Sequence, residues 1–366
     1  MREYLDYNAS MPLRQAAREA MISAMDAVGN PSSTHWHGRQ ARGLIERARE
    51  QIASALDCKT TEITFTSGAT EAAKVLDLWP NTVVTDDTAH ESLWAYHYSS
   101  TDVSYDNSNE GRSLAGIGDN PLFAFGLANS ETGIISQFPQ KMLDGWATPC
   151  GLASHLLVDL TQVIGRLHFS FEDSGADFAI ISAHKFGGPK GVGALIVRSG
   201  VTCPVLAHGG GQEKSLRSGT ENVLGIIGFG AAIAAAIDDL KNGVWNKIAK
   251  NRNKLEAILE SKAKRIKFVG RDKTRLPNTS CFISEGWKAE TQVIQMDLAG
   301  FSISAGSACS SGKIRHSRIL QAMGYSERLA ANAVRVSLGP DTSEDKVIAF
   351  CKVWLENEKK FRERTV

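Results

Sequence analysis

A lysine stands where an apolar stretch gives way to a glycine-rich one, in residues 182–197, SAHKFGGPKGVGALIV. The stretch 177–183 is hydrophobic, so Lys185 lies at the end of a predicted buried strand. A partly desolvated amine has its pKa pushed below the usual value of ~10.4. Such an amine can form a Schiff base and later act as a general base. Taken alone, Lys185 would more often be a surface lysine in a glycine-rich loop.

A candidate anion site precedes it in the chain, in the motif TSGATEA over residues 66–72. Gly68 permits a tight turn, and Ser67, Thr70 and the free N–H groups of a helix start can bind an anion such as phosphate. Ser182 and His184 could bind the same anion. An ordinary helix cap is an equally good interpretation of this motif by itself. The sequence has no GK[ST] and no GxGxxG motif, which disfavours a nucleotide site.

A carboxylate ends another apolar stretch, in LLVDLTQVIG over residues 156–165. Asp159 either caps a helix or faces a buried cation, because an unpaired carboxylate is costly at such a position. A protonated pyridine nitrogen is such a cation, and Gln162 follows about one helical turn later. An anion cradle, a buried carboxylate and a reactive amine together predict a pyridoxal 5′-phosphate site.

The elements that must position these residues alternate between strand and helix. Apolar runs at 63–68, 81–87, 121–129, 155–160, 177–183 and 192–198 are separated by amphipathic stretches such as 39–56. This alternation predicts an α/β domain with a mostly parallel sheet, in which ligands bind beyond the carboxyl ends of the strands. Helices at 222–241 and 244–263 follow, and then a smaller mixed segment with strand candidates at 279–284 and 333–339 and a closing helix from Ser343. We therefore predict a large domain over 12–245 and a smaller α/β C-terminal domain over 1–11 and 246–366.

The composition favours a small-molecule substrate. The 366 residues have a formal net charge of +1, which predicts neither a nucleic-acid nor a membrane partner. The longest apolar run, 223–237, is shorter than the roughly 18–20 residues that span a bilayer. Six scattered cysteines with no CxxC motif and no histidine pair at zinc spacing predict reduced thiols, no metal site and a cytoplasmic location.

The chain resembles the cysteine desulfurases, in the nitrogen-fixation and housekeeping branch of the class V aminotransferase group, which are fold-type I enzymes dependent on pyridoxal phosphate. The similarity runs nearly end to end. Its motifs are YLDYNASMPL (4–13), GNPSSTHWHGRQA (29–41), TFTSGATEA (64–72), VDLTQVIGRL (158–167), SAHKFGGPKGVGAL (182–195), HGGGQEKSLRSGTEN (208–222), LPNTSCFIS (276–284), ISAGSACSSG (303–312) and VRVSLG (334–339).

The resemblance implies a role for each site residue. Lys185 would form the Schiff base, Asp159 would pair with the pyridine nitrogen, and Gln162 would bind the ring hydroxyl. His90 would stack on the ring and transfer protons; by itself it would be a structural histidine. Thr220 would contact the phosphate of the neighbouring subunit in a homodimer with shared sites. The substrate carboxylate would be bound by Arg335, Asn129 and Ser130. The phosphate of the same subunit would be bound by Gly68, Ala69, Thr70, Ser182 and His184.

Cys309 decides the reaction class that the resemblance implies. It lies among small residues in SAGSACSSG, where a mobile thiol could take the sulfur of L-cysteine as a persulfide and leave alanine. The nearby Lys313, Arg315 and His316 could favour the thiolate, which is the nucleophilic form. A sulfur-acceptor protein, either an iron–sulfur scaffold or a sulfur carrier, would then receive the sulfur.

Two departures from the family pattern keep alternatives open. Ser130 stands where the family usually has a second asparagine before the glutamate. The residues at 314–317, IRHS, replace a typical LEPS. The alternatives are a selenocysteine lyase, a β-lyase that releases sulfide directly and does not depend on Cys309, and a weakly catalytic homologue that acts as a scaffold.

Overall fold

The computed structural model describes residues 2–97, 120–306 and 317–364. Its strands are, in chain order, β1 (Glu3–Tyr4), β2 (Ile63–Thr66), β3 (Val83–Thr85), β4 (Leu122–Gly126), β5 (Gln140–Met142), β6 (Gly145–Thr148), β7 (Gly151–Ala153), β8 (His155–Asp159), β9 (Phe178–Ser182), β10 (Gly193–Val197), β11 (Ile266–Phe268), β12 (Thr279–Ser284), β13 (Phe301–Ser302), β14 (Ser304–Ala305) and β15 (Ala333–Ser337).

The α-helices are α1 (Gln15–Ala24), α2 (Trp36–Leu56), α3 (Ala69–Ala72), α4 (Glu91–Trp94), α5 (Phe171–Ser174), α6 (Val223–Lys241), α7 (Val244–Lys262), α8 (Ala289–Leu298), α9 (Arg318–Ala322), α10 (Glu327–Ala330) and α11 (Glu344–Arg364). Cys309, the predicted sulfur-accepting residue, lies outside the described residues, as do its basic neighbours at 313, 315 and 316.

The chain forms two compact units. The large unit comprises residues 12–127 and 136–238, and the small unit comprises 1–11, 128–135 and 239–366. The sequence placed 128–135 and 239–245 in the large domain instead. Segment 128–135 groups with the small unit because Ile134 forms a β-bridge with Arg275 and the Leu276 N–H donates to the Gly133 carbonyl. The predicted boundaries of independent domains stay a prediction.

A six-stranded sheet forms the centre of the large unit, in the order β2-β10-β9-β8-β4-β3. Strands β3, β4, β8 and β9 are parallel, and β10 is antiparallel to both of its neighbours. All five residues of β9 and of β10 are buried. Continuous apolar runs, rather than alternating ones, are typical of strands covered on both faces. The predicted α/β fold with a mostly parallel sheet is confirmed.

One glycine brings three strand ends together in this sheet. Gly193, the first residue of β10, is paired with Thr66 at the end of β2 and with Ser182 at the end of β9. Because β10 is antiparallel, its beginning lies at the edge where the other strands end. A Cβ atom at Gly193 would lie 2.6 Å from the Gly68 Cα and 2.5 Å from the Ile181 carbonyl oxygen. The close approach of these segments therefore requires glycine.

Helix α6 packs through small residues. A Cβ at Gly230 would lie 2.7 Å from the Ala48 Cα in α2, and a Cβ at Gly165 would lie 2.6 Å from the Ala236 Cβ. Within the described ranges, α6 is the one helix long and apolar enough to cross a membrane by length and composition, with a mean hydropathy of 1.9. Helix α6 has 19 residues, more than the 15-residue apolar run in the sequence. Its length therefore does not argue against a membrane span. The glycine contacts with α2 are those of a core helix.

The small unit has an antiparallel sheet in the order β11-β12-β15-β14. Helices α7, α8 and α11 lie against it around a core that includes Trp245, Trp287 and Trp354. The sequence predicted β12, β15 and α11 but not the short strands. It also gave no indication of the three-stranded sheet β5-β6-β7 in the large unit, whose strands have three or four residues each.

We expect Gly193→Ala to destabilise the protein by about 1–3 kcal/mol, because the methyl group would force backbone segments apart. Gly43→Ala is the matched control. Its Cβ would lie in α2 with only the Arg47 side chain nearby, at 3.7 Å. The same change there should stabilise the helix by about 0.5–1 kcal/mol. Urea unfolding midpoints of the two variants would test this, and a Gly193→Ala midpoint equal to the native one would contradict it.

Candidate active site

The carboxyl ends of β4, β8 and β9 lie in register at one edge of the central sheet. Gly126 is opposite Asp159, and Asp159 is opposite Ile180, two residues before Ser182. Asp159 is only 5% exposed, and its Oδ1 accepts a hydrogen bond from the Thr161 N–H at 2.8 Å. The register therefore holds a buried carboxylate at the strand ends, as the sequence predicted.

The TSGATEA turn, the predicted anion cradle, lies at the same edge. A Cβ at Gly68 would lie 3.7 Å from the Ser182 Oγ, so this hydroxyl faces the turn before α3. Ala69 and Thr70 begin α3, and the first N–H groups of a helix have no partner within the helix. A hydroxyl beside these N–H groups is a suitable environment for a phosphate.

The carboxylate of Glu71 stabilises this turn. Glu71 accepts a hydrogen bond from the Ser67 N–H at 2.5 Å and pairs with the Arg217 Nε at 2.9 Å. Burial raises the pKa of Glu71, but the hydrogen bonds from Arg217 and Ser67 outweigh it and lower the pKa below its usual value. Because Arg217 compensates the carboxylate, an anion can bind next to it. The sequence analysis missed both residues, although Glu71 lies within the TSGATEA motif.

Lys185 and His184 lie in a single 3₁₀ turn, Ala183–Lys185, that follows β9 directly. Both side chains are half-buried. Burial, together with the positive charges of Lys185 and Lys190, lowers the pKa of His184 to about 4. His184 is therefore neutral at pH 7, so it can contribute a hydrogen bond to an anion but no full charge.

Gln162 is buried, 3% exposed, in the turn after β8. Its Oε1 accepts a hydrogen bond from Arg166 Nη1 at 2.7 Å. The Arg166 Nη2 donates to the Lys185 carbonyl oxygen at 3.2 Å. Sequence reasoning missed Arg166; its position four residues after Gln162, one helical turn away, was the available signal.

His90 caps the N-terminus of α4, in the segment that follows β3. Its Nδ1 accepts from the Ser92 N–H at 3.1 Å and lies 2.8 Å from the Ser92 Oγ. A backbone N–H can only donate, so Nδ1 is unprotonated and the ring proton of the neutral form lies on Nε2. The structure thus shows the structural role of His90; its stacking on a cofactor ring stays a prediction.

Arg335 lies in the small unit, buried in β15 and 2% exposed. Its Nη2 pairs with Asp6 Oδ1 at 2.6 Å, and its Nη1 donates to the Ser130 carbonyl oxygen at 3.0 Å. Asp6 also accepts from the Ser304 hydroxyl at 2.7 Å. The Arg335 Nε is buried and has no hydrogen-bond partner among the described residues. A bidentate ligand would satisfy such a donor.

Asn129 organises the turn that contains Ser130. Its Oδ1 accepts from the N–H groups of Glu131 and Thr132, each at 2.9 Å. Glu131 in turn accepts from the Ser317 hydroxyl at 2.5 Å, next to the start of α9. The structure therefore brings Asn129, Ser130 and Arg335 together within the small unit. Their contacts with a substrate stay a prediction.

Thr220 is exposed in the loop before α6, and its role toward a neighbouring subunit stays a prediction. The other predicted cofactor residues belong to the large unit. All of them except His90 lie at the strand ends, as the register and the contacts given above show. Cys309 is outside the described residues, so the structure neither supports nor opposes its assignment.

A family model for class-V aminotransferases matches residues 3–88 and 118–350, most of the chain. The chain belongs to the class-V aminotransferase family. Within this family it is 35% identical to the cysteine desulfurase IscS of Dictyoglomus turgidum, over 93% of this chain and 91% of the relative. It is 33% identical to an IscS-like cysteine desulfurase of Mycobacterium tuberculosis, over 96% of this chain and 94% of the relative.

Similar solved structures agree with this assignment. A NifS-like protein superposes with a TM-score of 0.84 at 30% identity, covering 98% of this chain and 99% of that one. A NifS-like protein from Rickettsia africae has a TM-score of 0.82 at 31% identity, covering 97% and 99%. The fold is therefore that of the fold-type I enzymes, as predicted.

The cofactor of this class-V aminotransferase is pyridoxal 5′-phosphate, and the residues at the sheet edge fit it. The phosphate needs hydroxyl and N–H donors, which Ser182 and the start of α3 supply. The ring nitrogen needs an anion, and Asp159 is a buried one. The aldehyde needs an amine, and Lys185 lies on the turn directly after β9. These residues of the large unit therefore fit the cofactor.

We expect the cofactor-free protein to lose stability as the pH falls from about 6.5 to about 4. In that interval the unfolded chain binds a proton at His184, whereas the folded protein, with a pKa of about 4, does not. His184→Gln removes this difference, so its stability should fall less between pH 7 and pH 5. Urea unfolding at the two pH values measures the effect. Equal losses in both proteins would show that His184 is not held neutral.

Proposed function

We propose that the protein is a cysteine desulfurase that converts L-cysteine to L-alanine and transfers the sulfur to the thiol of Cys309. The main observation is the meeting of Lys185, Asp159 and the anion cradle at one sheet edge. This occurs in a chain 35% identical to a named cysteine desulfurase over 93% of its length. Together they support a pyridoxal-phosphate enzyme acting on an amino acid.

The cofactor would be bound by the residues of the large unit. Lys185 would hold its aldehyde carbon, Asp159 its ring nitrogen, Gln162 its ring hydroxyl, and the cradle with His184 its phosphate. When bound, it supplies an electrophilic carbon for the substrate amine and an electron-accepting ring. Asp159 would keep the ring nitrogen protonated, because a buried carboxylate favours a neighbouring cation.

Lys185 and His90 would move the protons. The Lys185 Nζ would take the α-proton of the bound amino acid and return a proton to the product. The Lys185 side chain is half-buried on the turn that follows β9. The His90 Nε2 is the ring atom that can donate a proton, because Nδ1 accepts from Ser92.

Arg335 would bind the substrate carboxylate. Its guanidinium is already oriented by Asp6 and by the Ser130 carbonyl, and its buried Nε has no partner among the described residues. A carboxylate can accept two parallel hydrogen bonds from a guanidinium, which fixes the orientation of the amino acid.

Cys309 is the thiol to which the family resemblance assigns the sulfur. Burial raises the pKa of four of the five described cysteines, which makes them poor nucleophiles. These are Cys58, Cys281 and Cys351, each at about 12, and Cys203, at about 11. In the reaction, the substrate Cβ–S bond breaks and a sulfur–sulfur bond forms. L-cysteine and the enzyme thiol thus give L-alanine and an enzyme persulfide, with no net oxidant or reductant.

The protein would act as a cytoplasmic homodimer in which Thr220 contributes to the phosphate site of the neighbouring subunit. Cys58, Cys203, Cys281 and Cys351 are free thiols, which fits a reducing compartment. The persulfide would pass to a sulfur-acceptor protein, either an iron–sulfur scaffold or a sulfur carrier. Relatives named IscS favour the role in iron–sulfur cluster assembly.

Cys309→Ala should reduce alanine and sulfide formation from L-cysteine with added reductant by at least about 100-fold, because no persulfide can form. The matched control is Cys203→Ala, which removes a thiol whose burial raises its pKa to about 11, and it should keep native turnover. Mass spectrometry should also show one added sulfur on the native enzyme but not on Cys309→Ala. Equal turnover of the two variants would identify a direct β-lyase instead. No turnover even in the native protein would favour a scaffold.

Arg335→Lys should lower kcat/KM for L-cysteine roughly 10- to 100-fold, mainly through KM. A lysine keeps the charge but loses the planar pair of donors, and a charge-assisted hydrogen bond contributes about 1.5–3 kcal/mol. Arg328→Lys, at an exposed position in α10 of the same unit, is the control and should keep native KM. Steady-state kinetics of both variants would decide; an unchanged KM in Arg335→Lys would exclude the carboxylate role.

A further inference from the structure

A buried arginine connects two of the predicted cofactor residues. Arg166 is 3% exposed. Its Nη1 donates to the Gln162 side-chain oxygen at 2.7 Å and to the Gln162 carbonyl at 2.9 Å, and its Nη2 donates to the Lys185 carbonyl at 3.2 Å. The guanidinium thus joins the segment after β8 to the segment after β9.

The arginine determines which way the Gln162 amide points. A guanidinium has donors only, so it accepts no hydrogen bond from an amide nitrogen. If the amide were reversed, its NH₂ group would face the Arg166 donor and both would be buried without that bond. The oxygen must therefore face Arg166, and Nε2, which can only donate, must point the other way.

The backbone around Arg166 is itself tightly fixed. The Arg166 N–H donates to the Val163 carbonyl at 2.9 Å. Gly165 adopts a φ of +73°, which favours glycine, and a Cβ there would lie 2.6 Å from the Ala236 Cβ in α6. The packing of α6 thus sets the position from which the Arg166 side chain reaches Gln162 and Lys185.

We propose that Arg166 is a positioning residue for the cofactor: it directs the Gln162 Nε2 toward the ring hydroxyl and fixes the backbone of Lys185. This inference rests on the proposed pyridoxal-phosphate site. A donor at the ring hydroxyl stabilises its deprotonated form, so the orientation of Gln162 affects the absorbance of the bound cofactor and its dependence on pH. Arg166 acts on both through Gln162 without touching the cofactor.

The test compares holoenzymes of Arg166→Met, Gln162→Ala and the double variant. We measure the dissociation constant for pyridoxal 5′-phosphate and the pH midpoint of the cofactor absorbance change. Each single variant should raise the dissociation constant at least about tenfold and move the midpoint in the same direction. The double variant should be no worse than the weaker-binding single variant by more than about twofold, because both changes remove one interaction.

Arg198→Met is the matched control. Arg198 is another arginine of the large unit whose guanidinium donates to backbone carbonyls, those of Ala176 and Phe171. Its loss should lower the melting temperature without moving the absorbance midpoint. Arg166→Lys, which keeps the charge and a donor, should restore part of the affinity and serves as the test variant if Arg166→Met does not fold.

Two results would overturn the inference while leaving the proposed function intact. One is native affinity and an unshifted midpoint in Arg166→Met. The other is a double variant in which the two effects multiply, which would mean that Arg166 and Gln162 act independently. Failure of the native protein to bind pyridoxal 5′-phosphate would instead contradict the proposed function.

Discussion

The pairing of Gly193 with Thr66 on one side and Ser182 on the other is the constraint on which the cofactor site depends. Because β10 is antiparallel to both neighbours, this pairing fixes how far β2 and β9 extend toward the same edge. The turn at Gly68 then has to pass directly beside Gly193, where a side chain would meet backbone atoms. The hydroxyl of Ser182 and the start of α3 face each other as a consequence.

Charge at this edge is compensated locally, which allows the site to exist before any ligand arrives. Asp159 accepts a backbone hydrogen bond, Glu71 pairs with Arg217, and His184 stays neutral because burial and neighbouring lysines lower its pKa. Buried ions without such partners cost several kcal/mol each. The site is therefore preorganised for a group with one anionic end and one cationic end, and its polar residues need little rearrangement on binding.

In the small unit, the charge of the buried Arg335 is likewise compensated by nearby groups. Asp6 and the Ser130 carbonyl orient the guanidinium. The contact with residue 130 uses the backbone, so the serine found in place of the family's usual asparagine leaves it unaffected. Glu131, the next residue, accepts from the Ser317 hydroxyl. The turn that follows Asn129 thus links Arg335 to the segment at the start of α9.

The sequence by itself determined the strands of the central sheet and the residues that end them. A continuous apolar run with a single polar residue at its end is a local pattern, and Asp159, Ser182 and Lys185 could all be predicted from it. Only the tertiary structure decided which distant side chains meet. Asp6 and Arg335 are 329 positions apart, and the roles of Arg166 and Glu71 depend on their partners Lys185 and Arg217. Such pairings follow from strand register and helix packing, and hydrophobic periodicity contains no information about either.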